Sequence, residues 1–218
     1  MGGSASECER ETTARPSHYR LPLISHSFLP LVSHSALILP LNTRTMRVRP
    51  ALPTEAQAYT DFAREVFIAT YADSNPPDLL AQHLERGFTV MQQQADLLDP
   101  DRTTLVLEAD DNSWAGFAVL RTHPAPADVP GGHPVELERI YVGGAWHGRG
   151  AGHQLMAACI ERAAANGHDV LWLGVWTENQ RARRFYQKEG FVEVGMHQFD
   201  FGGELQDDVL MAHTIISR

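Results

Sequence analysis

The sequence predicts an α/β (α+β) domain built on one mixed sheet, and three observations carry that prediction. Strand-like and helix-like segments alternate from residue 46 to the C-terminus. Helical stretches separate consecutive strands in the second half, the crossover that parallel neighbours require. Turn signals at Asp110-Asp111-Asn112 and at Gly202-Gly203 sit between extended runs and add antiparallel hairpins.

The elements follow in order. MRVRPA (46–51) is a short strand. Pro53 and Thr54 open a helix over about 54–72, with Glu55 in its first turn and Phe62, Val66 and Ala69 on one face. Asn75-Pro76-Pro77 breaks it, and a single helical stretch over about 77–97 ends at Asp99-Pro100. TTLVLEA (103–109) and WAGFAVLR (114–121) are the arms of a hairpin. The Pro/Gly-rich stretch 122–133 is a loop, and PVELERIYV (134–142) is the next strand. A helix over 149–166 stops at Asn166-Gly167. DVLWLGVW (169–176) reads as a buried strand, and a helix over 179–189 stops at Gly190. The segments 191–201 and 207–215 form a final hairpin.

Composition narrows the function classes. At 218 residues and 43% hydrophobic content the chain holds one domain with a sizeable core, plus an extension. The net charge of −9 argues against a general nucleic-acid binder, which needs a basic footprint. Cys8 and Cys159 are too few for a disulfide framework or a zinc knuckle. No metal and no redox cofactor are expected.

Residues 1–45 differ from the rest. No Asp or Glu occurs from Thr12 to Thr54, and a period of eight recurs at 17–24, 25–32 and 33–40, with His18, His26 and His34 in register. No acidic or cysteine partner accompanies those histidines, so the repeat reads as a tandem duplication and not a metal site. Residues 21–41 lack charge, but Pro22, Pro30 and Pro40 break any helix that would cross a membrane. The segment reads as a disordered, dispensable extension, with a targeting segment as the alternative. The domain is expected to occupy 46–218.

The chemistry concentrates in two segments. In the first, the strand ending Ile140-Tyr141-Val142 runs into Gly143-Gly144-Ala145-Trp146-His147-Gly148-Arg149-Gly150-Ala151-Gly152 and then a helix. Alternating glycines let backbone N–H groups approach an anion without Cβ interference. The helix N-terminus adds unpaired donors and partial positive charge, and Arg149 adds a full one. This is a pyrophosphate cradle. It is not a P-loop, since no Gly-Lys-Ser/Thr follows, and it lacks the dinucleotide spacing. The second segment runs from Asn179 through Ala182, Phe185 and Tyr186 to Gly190-Phe191.

Together these segments resemble the GCN5-related N-acetyltransferase (GNAT) superfamily. Its cradle pattern, Q/R-x-x-G-x-G/A, is met here by His147-x-x-Gly150-x-Gly152, with a departure at His147. Its second pattern, N-x-x-A-x-x-F-Y-x-x-x-G-F, is met at every defined position from Asn179 to Phe191. The resemblance implies a mostly antiparallel central sheet with two splayed parallel strands, 134–142 and 169–176, and helices on both faces. It implies acetyl-CoA as co-substrate. Its pyrophosphate would rest on the backbone of His147, Gly148, Arg149, Gly150, Ala151 and Gly152. The pantetheine arm would lie along Ile140, Tyr141 and Val142, with Asn179 bonding it. Tyr186 would protonate the leaving thiolate. The CoA requirement and the two unpaired cysteines lead to the expectation of a cytoplasmic protein.

An amine must be neutral to attack a thioester, so a base is needed. Glu136 and Glu138, two apart on one strand, share a face. Either could serve as the base, and family analogy leans to Glu138. Phe185 and Tyr186, adjacent on a helix, are expected not to share the core face. The segments 67–88 and 194–213 resemble bacterial polyamine N-acetyltransferases of the PaiA type, which implies a small amine such as spermidine or spermine as acceptor. An acidic domain, with 24 Asp and Glu against 14 Arg and Lys over 46–218, fits a polycation. The alternatives are a GNAT enzyme for another amine (amino acid, antibiotic or protein N-terminus) and a non-catalytic acyl-CoA-binding module. No nucleic acid or membrane partner is expected. Relatives in the family are often dimers, which makes the C-terminal hairpin a candidate homodimer interface.

Overall fold

A computed structural model describes residues 45–72, 77–201 and 204–216. The extension with its eight-residue repeat, the Asn75-Pro76 break and the Gly202-Gly203 turn lie outside the described residues. Among the described residues seven strands form one sheet in the order β1-β2-β3-β4-β5-β7-β6. They are β1 (Met46–Pro50), β2 (Arg102–Ala109), β3 (Trp114–Arg121), β4 (Pro134–Val142), β5 (Val170–Trp176), β6 (Val192–Phe201) and β7 (Glu204–Thr214). Every neighbouring pair is antiparallel except β4 and β5. The mixed sheet expected from the sequence is therefore present, and β7 inserts between β5 and β6.

Among the described residues five α-helices cover the sheet: α1 (Ala56–Tyr71), α2 (Pro77–Gly87), α3 (Val90–Leu98), α4 (Ala151–Ala165) and α5 (Gln180–Lys188). Leu155, Met156, Cys159 and Ala163 of α4 pack on Leu105, Leu107, Leu137, Leu171 and Leu173, while Ala182, Phe185 and Tyr186 of α5 flank this main core. On the opposite face Tyr59, Ala63 and Val66 of α1, with Leu84 and Phe88, pack on Phe117 and Val119. Each fully buried leucine contributes about 1.5–3 kcal/mol of apolar burial.

The single helix expected over 77–97 is two. Thr89 adopts an extended conformation and its hydroxyl accepts the Gln92 N–H, a cap that starts α3. Arg64 of α1 donates to the carbonyls of Leu84 and Phe88, holding the end of α2. A contact from another helix thus fixes a break that periodicity along 77–97 passes over. The expectation for Phe185 and Tyr186 is also corrected. Both are half-buried against the main core, with ring centroids 5.4 Å apart. Neither faces away, because α5 lies at the core margin and its rings spread along that edge.

At the N-terminal end of α1, Glu55 accepts the Leu52 N–H and takes both guanidinium nitrogens of Arg49. Arg49 also reaches the buried Glu108, which Arg47 meets from its other side. Hydrogen bonds from Arg49 and then Arg47 hold the Glu108 carboxyl down from its ordinary 4.5 to about 2. Cys159 is fully buried in the main core, and burial pushes its thiol up to about 12.

Candidate active site

The site begins where β4 and β5 part. Their ladder has three rungs, Pro134–Val170, Val135–Leu171 and Glu136–Trp172. Beyond Glu136, β4 runs on to Val142 while β5 stays paired with β7 as far as Trp176–Asp208. A β-bulge causes the divergence: Val119 pairs with Arg139 and Leu120 with Leu137, leaving Glu138 as the extra residue. The bulge bends β4 at the point where pairing with β5 stops.

Past the last rung, β4 turns part of its backbone away from β3 and toward the gap. The Gly143 N–H donates to Ala115 on β3 at 2.9 Å. Antiparallel ladders alternate, so Ile140 and Val142 turn their N–H and C=O groups the other way, into the gap. Tyr141 places its side chain on the opposite face, stacked on Phe117 at 5.5 Å. His147 reaches the same edge, its exposed ring donating through Nε2 to the Val142 carbonyl at 3.0 Å. Nothing in the sequence pointed to that bond.

At the open end of the gap lies the glycine loop. Gly148 and Gly150 have φ values of 73° and 80°, the left-handed region where other residues are strained. Gly150 immediately precedes α4 and accepts the Gln154 N–H at 2.9 Å. The first N–H groups of α4, from Ala151, Gly152 and His153, have no intrahelical acceptor and point out of the helix end. Arg149 is exposed beside them, with its guanidinium over the Trp146 ring. These donors and this charge fit a pyrophosphate. Gly152 has a different reason to be glycine. A Cβ there would press on the Phe185 ring at 3.4 Å, so the residue lets α4 and α5 approach.

Asn179 caps α5, its side-chain oxygen accepting the Ala182 N–H at 3.1 Å. Only its amide NH₂ lies outside that cap. Tyr186 stands on the α4 side of the sheet, between Phe185 and Phe191.

The two carboxylates lie together on the other face, as their spacing predicts, but their partners differ. Glu138 sits between two guanidinium groups, Arg102 at 3.4 Å and Arg139 at 3.7 Å. Arg102 is itself paired with the buried Asp96 of α3, and Arg139 lies over the Phe88 ring. Glu136 meets His123 instead, with 2.6 Å between Nε2 and the carboxylate. The motifs left His123 unmarked, since a histidine in a Pro/Gly loop has no periodic signal. Further along this face, Gly174 opens space toward His197 and Asp208, which stand 3.9 Å apart. Burial raises the Asp208 carboxyl above its ordinary range, Asp207 adds to this and His197 opposes it. Among the described residues no group of His, Cys, Asp and Glu could hold a metal, and no helix is long and apolar enough to cross a membrane.

The sequence model of the acetyltransferase (GNAT) family matches residues 61–191, more than half of the chain. The chain belongs to the GNAT acetyltransferase family. Among its relatives, an uncharacterized N-acetyltransferase of Lactobacillus delbrueckii subsp. lactis is 29% identical over 154 residues, covering 71% of this chain and 88% of the relative. One from Mycobacterium tuberculosis is 29% identical over 164 residues, covering 75% and 99%. Among solved structures, the PaiA N-acetyltransferase of Thermoplasma acidophilum in complex with coenzyme A superposes with a TM-score of 0.60 at 19% identity, over 78% of this chain and 99% of that one. A putative acetyltransferase of Salmonella typhimurium with acetyl-CoA gives 0.55 at 20%, over 80% and 96%. These structural likenesses establish the fold: a GNAT sheet with its one parallel pair and helices on both faces.

Proposed function

We propose that this GNAT protein moves the acetyl group of acetyl-CoA to a primary amine of a small molecule, with a polyamine as the favoured acceptor, by direct attack in a ternary complex. The observation that carries the reading is the parting of β4 and β5 after three rungs, with a glycine cradle at its open end. In this reading Gly148, Arg149, Gly150, Ala151 and Gly152 hold the pyrophosphate by backbone donors and charge. Ile140 and Val142 supply the strand edge for the pantetheine amides, while Tyr141, expected to join them, turns its backbone to β3 and its ring to Phe117. His147 keeps the Val142 carbonyl oriented at that edge. The Asn179 amide NH₂ closes the gap from the α5 side.

The proton leaves the amine on the face that carries Glu136 and Glu138, and Tyr186 returns one to the thiolate from the α5 side. Glu136 is the better placed carboxylate of the two, because Glu138 is engaged by two arginines. The acidic balance of the domain, 24 Asp and Glu against 14 Arg and Lys over 46–218, supports a polycationic acceptor. The exposed Val192 and Met196 of the edge strand β6 support a homodimer through the C-terminal hairpin, and light scattering of the purified protein tests it.

The test of function is release of free thiol from acetyl-CoA against a panel of amines: spermidine, spermine, putrescine, amino acids, aminoglycosides and an N-terminal peptide. Turnover with the polyamines alone is the expected result. Turnover with another member instead discards the polyamine and keeps the transfer. Acetyl-CoA binding with no thiol release from any of them, and no change in Tyr186→Phe, favours a binding module.

A further inference from the structure

We infer that His123, oriented by Glu136, is the group that takes the proton from the attacking amine. The inference rests on the acyl-transfer reading of the gap between β4 and β5 and names the base within it. Three placements support it.

The first is position. The last rung before the strands part joins Glu136 to Trp172. His123 touches both halves of that rung, with Nε2 2.6 Å from the Glu136 carboxylate and its ring centroid 5.4 Å from the buried indole of Trp172. The imidazole therefore stands over the fork of the two strands, on the face opposite α4 and α5. The cradle and Tyr186 lie on the α4 and α5 side. A thioester entering from the cradle would have the thiol's proton donor behind it and His123 in front, where an amine approaches.

The second is proton bookkeeping. A carboxylate only accepts hydrogen bonds, so the Nε2 facing Glu136 carries the proton in the neutral ring. Nδ1 then holds the free lone pair. A carboxylate that fixes the tautomer of a base histidine is a recurring arrangement. In the reaction the amine nitrogen bonds to the thioester carbonyl carbon and the C–S bond breaks. The amine's proton passes to Nδ1, the thiolate receives a proton, and the ring then returns its own to solvent. No oxidant or further reactant enters. Histidine suits the task because a neutral imidazole carries one donor and one acceptor nitrogen at once.

The third is restraint. The loop carrying His123 is pinned at both ends. The Thr122 N–H donates to Asp101 at 2.8 Å, and Asp169 accepts the N–H groups of Gly132 and His133 at 2.7 and 2.9 Å. Val129, between them, is buried on Trp172 and Leu210. His123 keeps 29% of its side chain exposed, so a small acceptor reaches it. Its carboxylate partner is Glu136 on β4; Arg121 on β3 lies opposite Glu136 in register, Glu138 with its partners Arg102 and Arg139 follows along β4, and His197 and Asp208 stand farther along the same face. Arg102 and Arg139 occupy Glu138, whereas His123 stands at the last rung before the strands part, a position that His197, opposite Asp208 farther along this face, does not share.

Two measurements test the assignment. With the amine that the wild type turns over best, His123→Gln is expected to lower kcat by about 10²-fold or more at pH 7, to leave KM for acetyl-CoA within about twofold, and to abolish the acidic limb of the kcat profile. Retention of kcat within about threefold and an unchanged profile overturns the proposal. The second measurement needs no acceptor. Long-range ¹⁵N NMR of the wild type is expected to show the neutral His123 ring protonated at Nε2, with that preference lost in Glu136→Gln. A neutral ring protonated at Nδ1 overturns the assignment even if the enzyme acetylates amines. Failure of every amine in the panel counts against the acceptor reading while the tautomer still decides the role of His123.

Discussion

Arg102 ties α3 to β4, and its removal should cost more than removal of its strongest partner. Asp96 is 5% exposed and accepts from both Arg102 and the Gln92 amide. The Arg102 side chain is 14% exposed and also faces Glu138 at 3.4 Å. Asp96→Ala leaves the guanidinium with Glu138 still beside it, so its charge stays compensated. Arg102→Met leaves Asp96 without its cation and leaves Glu138 with Arg139 alone. Breaking a buried pair by removing one member costs about 3–5 kcal/mol. Arg102→Met should fall in that range and Asp96→Ala about 1–2 kcal/mol below it. For a domain of this size each kcal/mol lowers Tm by about 2–4 °C, so Arg102→Met should melt roughly 6–20 °C below wild type. Urea denaturation followed by circular dichroism reads the difference at constant m. An Asp96→Ala variant as damaging as Arg102→Met, or an Arg102→Met cost below about 1 kcal/mol, refutes the picture of one arginine shared among Asp96, Asp99 and Glu138.

Three further outcomes are expected. The Glu108 carboxyl, held at about 2 in the folded protein, adds stability that is full above the ordinary carboxylate range and lost as pH falls toward 2. Glu108→Gln should therefore melt lower at pH 7, with the two Tm curves converging toward pH 2, and parallel curves would count against the arginine clamp. Gly150→Ala meets no atom within 4 Å, so its cost is backbone strain alone, about 1–2 kcal/mol for the left-handed conformation. It should raise KM for acetyl-CoA while KM for the amine stays put, and steady-state kinetics with each substrate varied would expose the opposite pattern. Cys159, buried with its thiol pushed up to about 12, should resist a disulfide reagent in the native state and react on unfolding. Fast native labelling of Cys159 in a Cys8→Ser background would contradict its place in the core.

Much of this was legible in local sequence. The strands at 114–121 and 134–142 appear with the boundaries that alternation and turn residues predict. Gly167 and Gly190 take the positive φ that ends α4 and α5, and Gly148 and Gly150 take it in the cradle. Such signals are legible because they depend on a residue and its chain neighbours: a left-handed φ wants glycine wherever it falls. The shared face of Glu136 and Glu138 follows from strand periodicity in the same way.

What each carboxylate does with that face was not legible. Glu138 meets Arg102 from 36 positions away and Glu136 meets His123 from 13. Periodicity gives both the same orientation, and only the bulge at Glu138 with the arrival of α3 and the 122–133 loop separates their partners. The same holds for the break at Thr89, which needs Arg64 from α1, for Gly152, which makes room for Phe185, and for β7, which takes the place beside β5. By itself the sequence determined most of the elements, the positive-φ glycines before α4 and the family, because turn chemistry, period and motif spacing are short-range properties. The tertiary structure alone decided the bulge at Glu138 that parts β4 from β5 and the histidine over the fork, because both arise from contacts between segments that meet only once the sheet has formed.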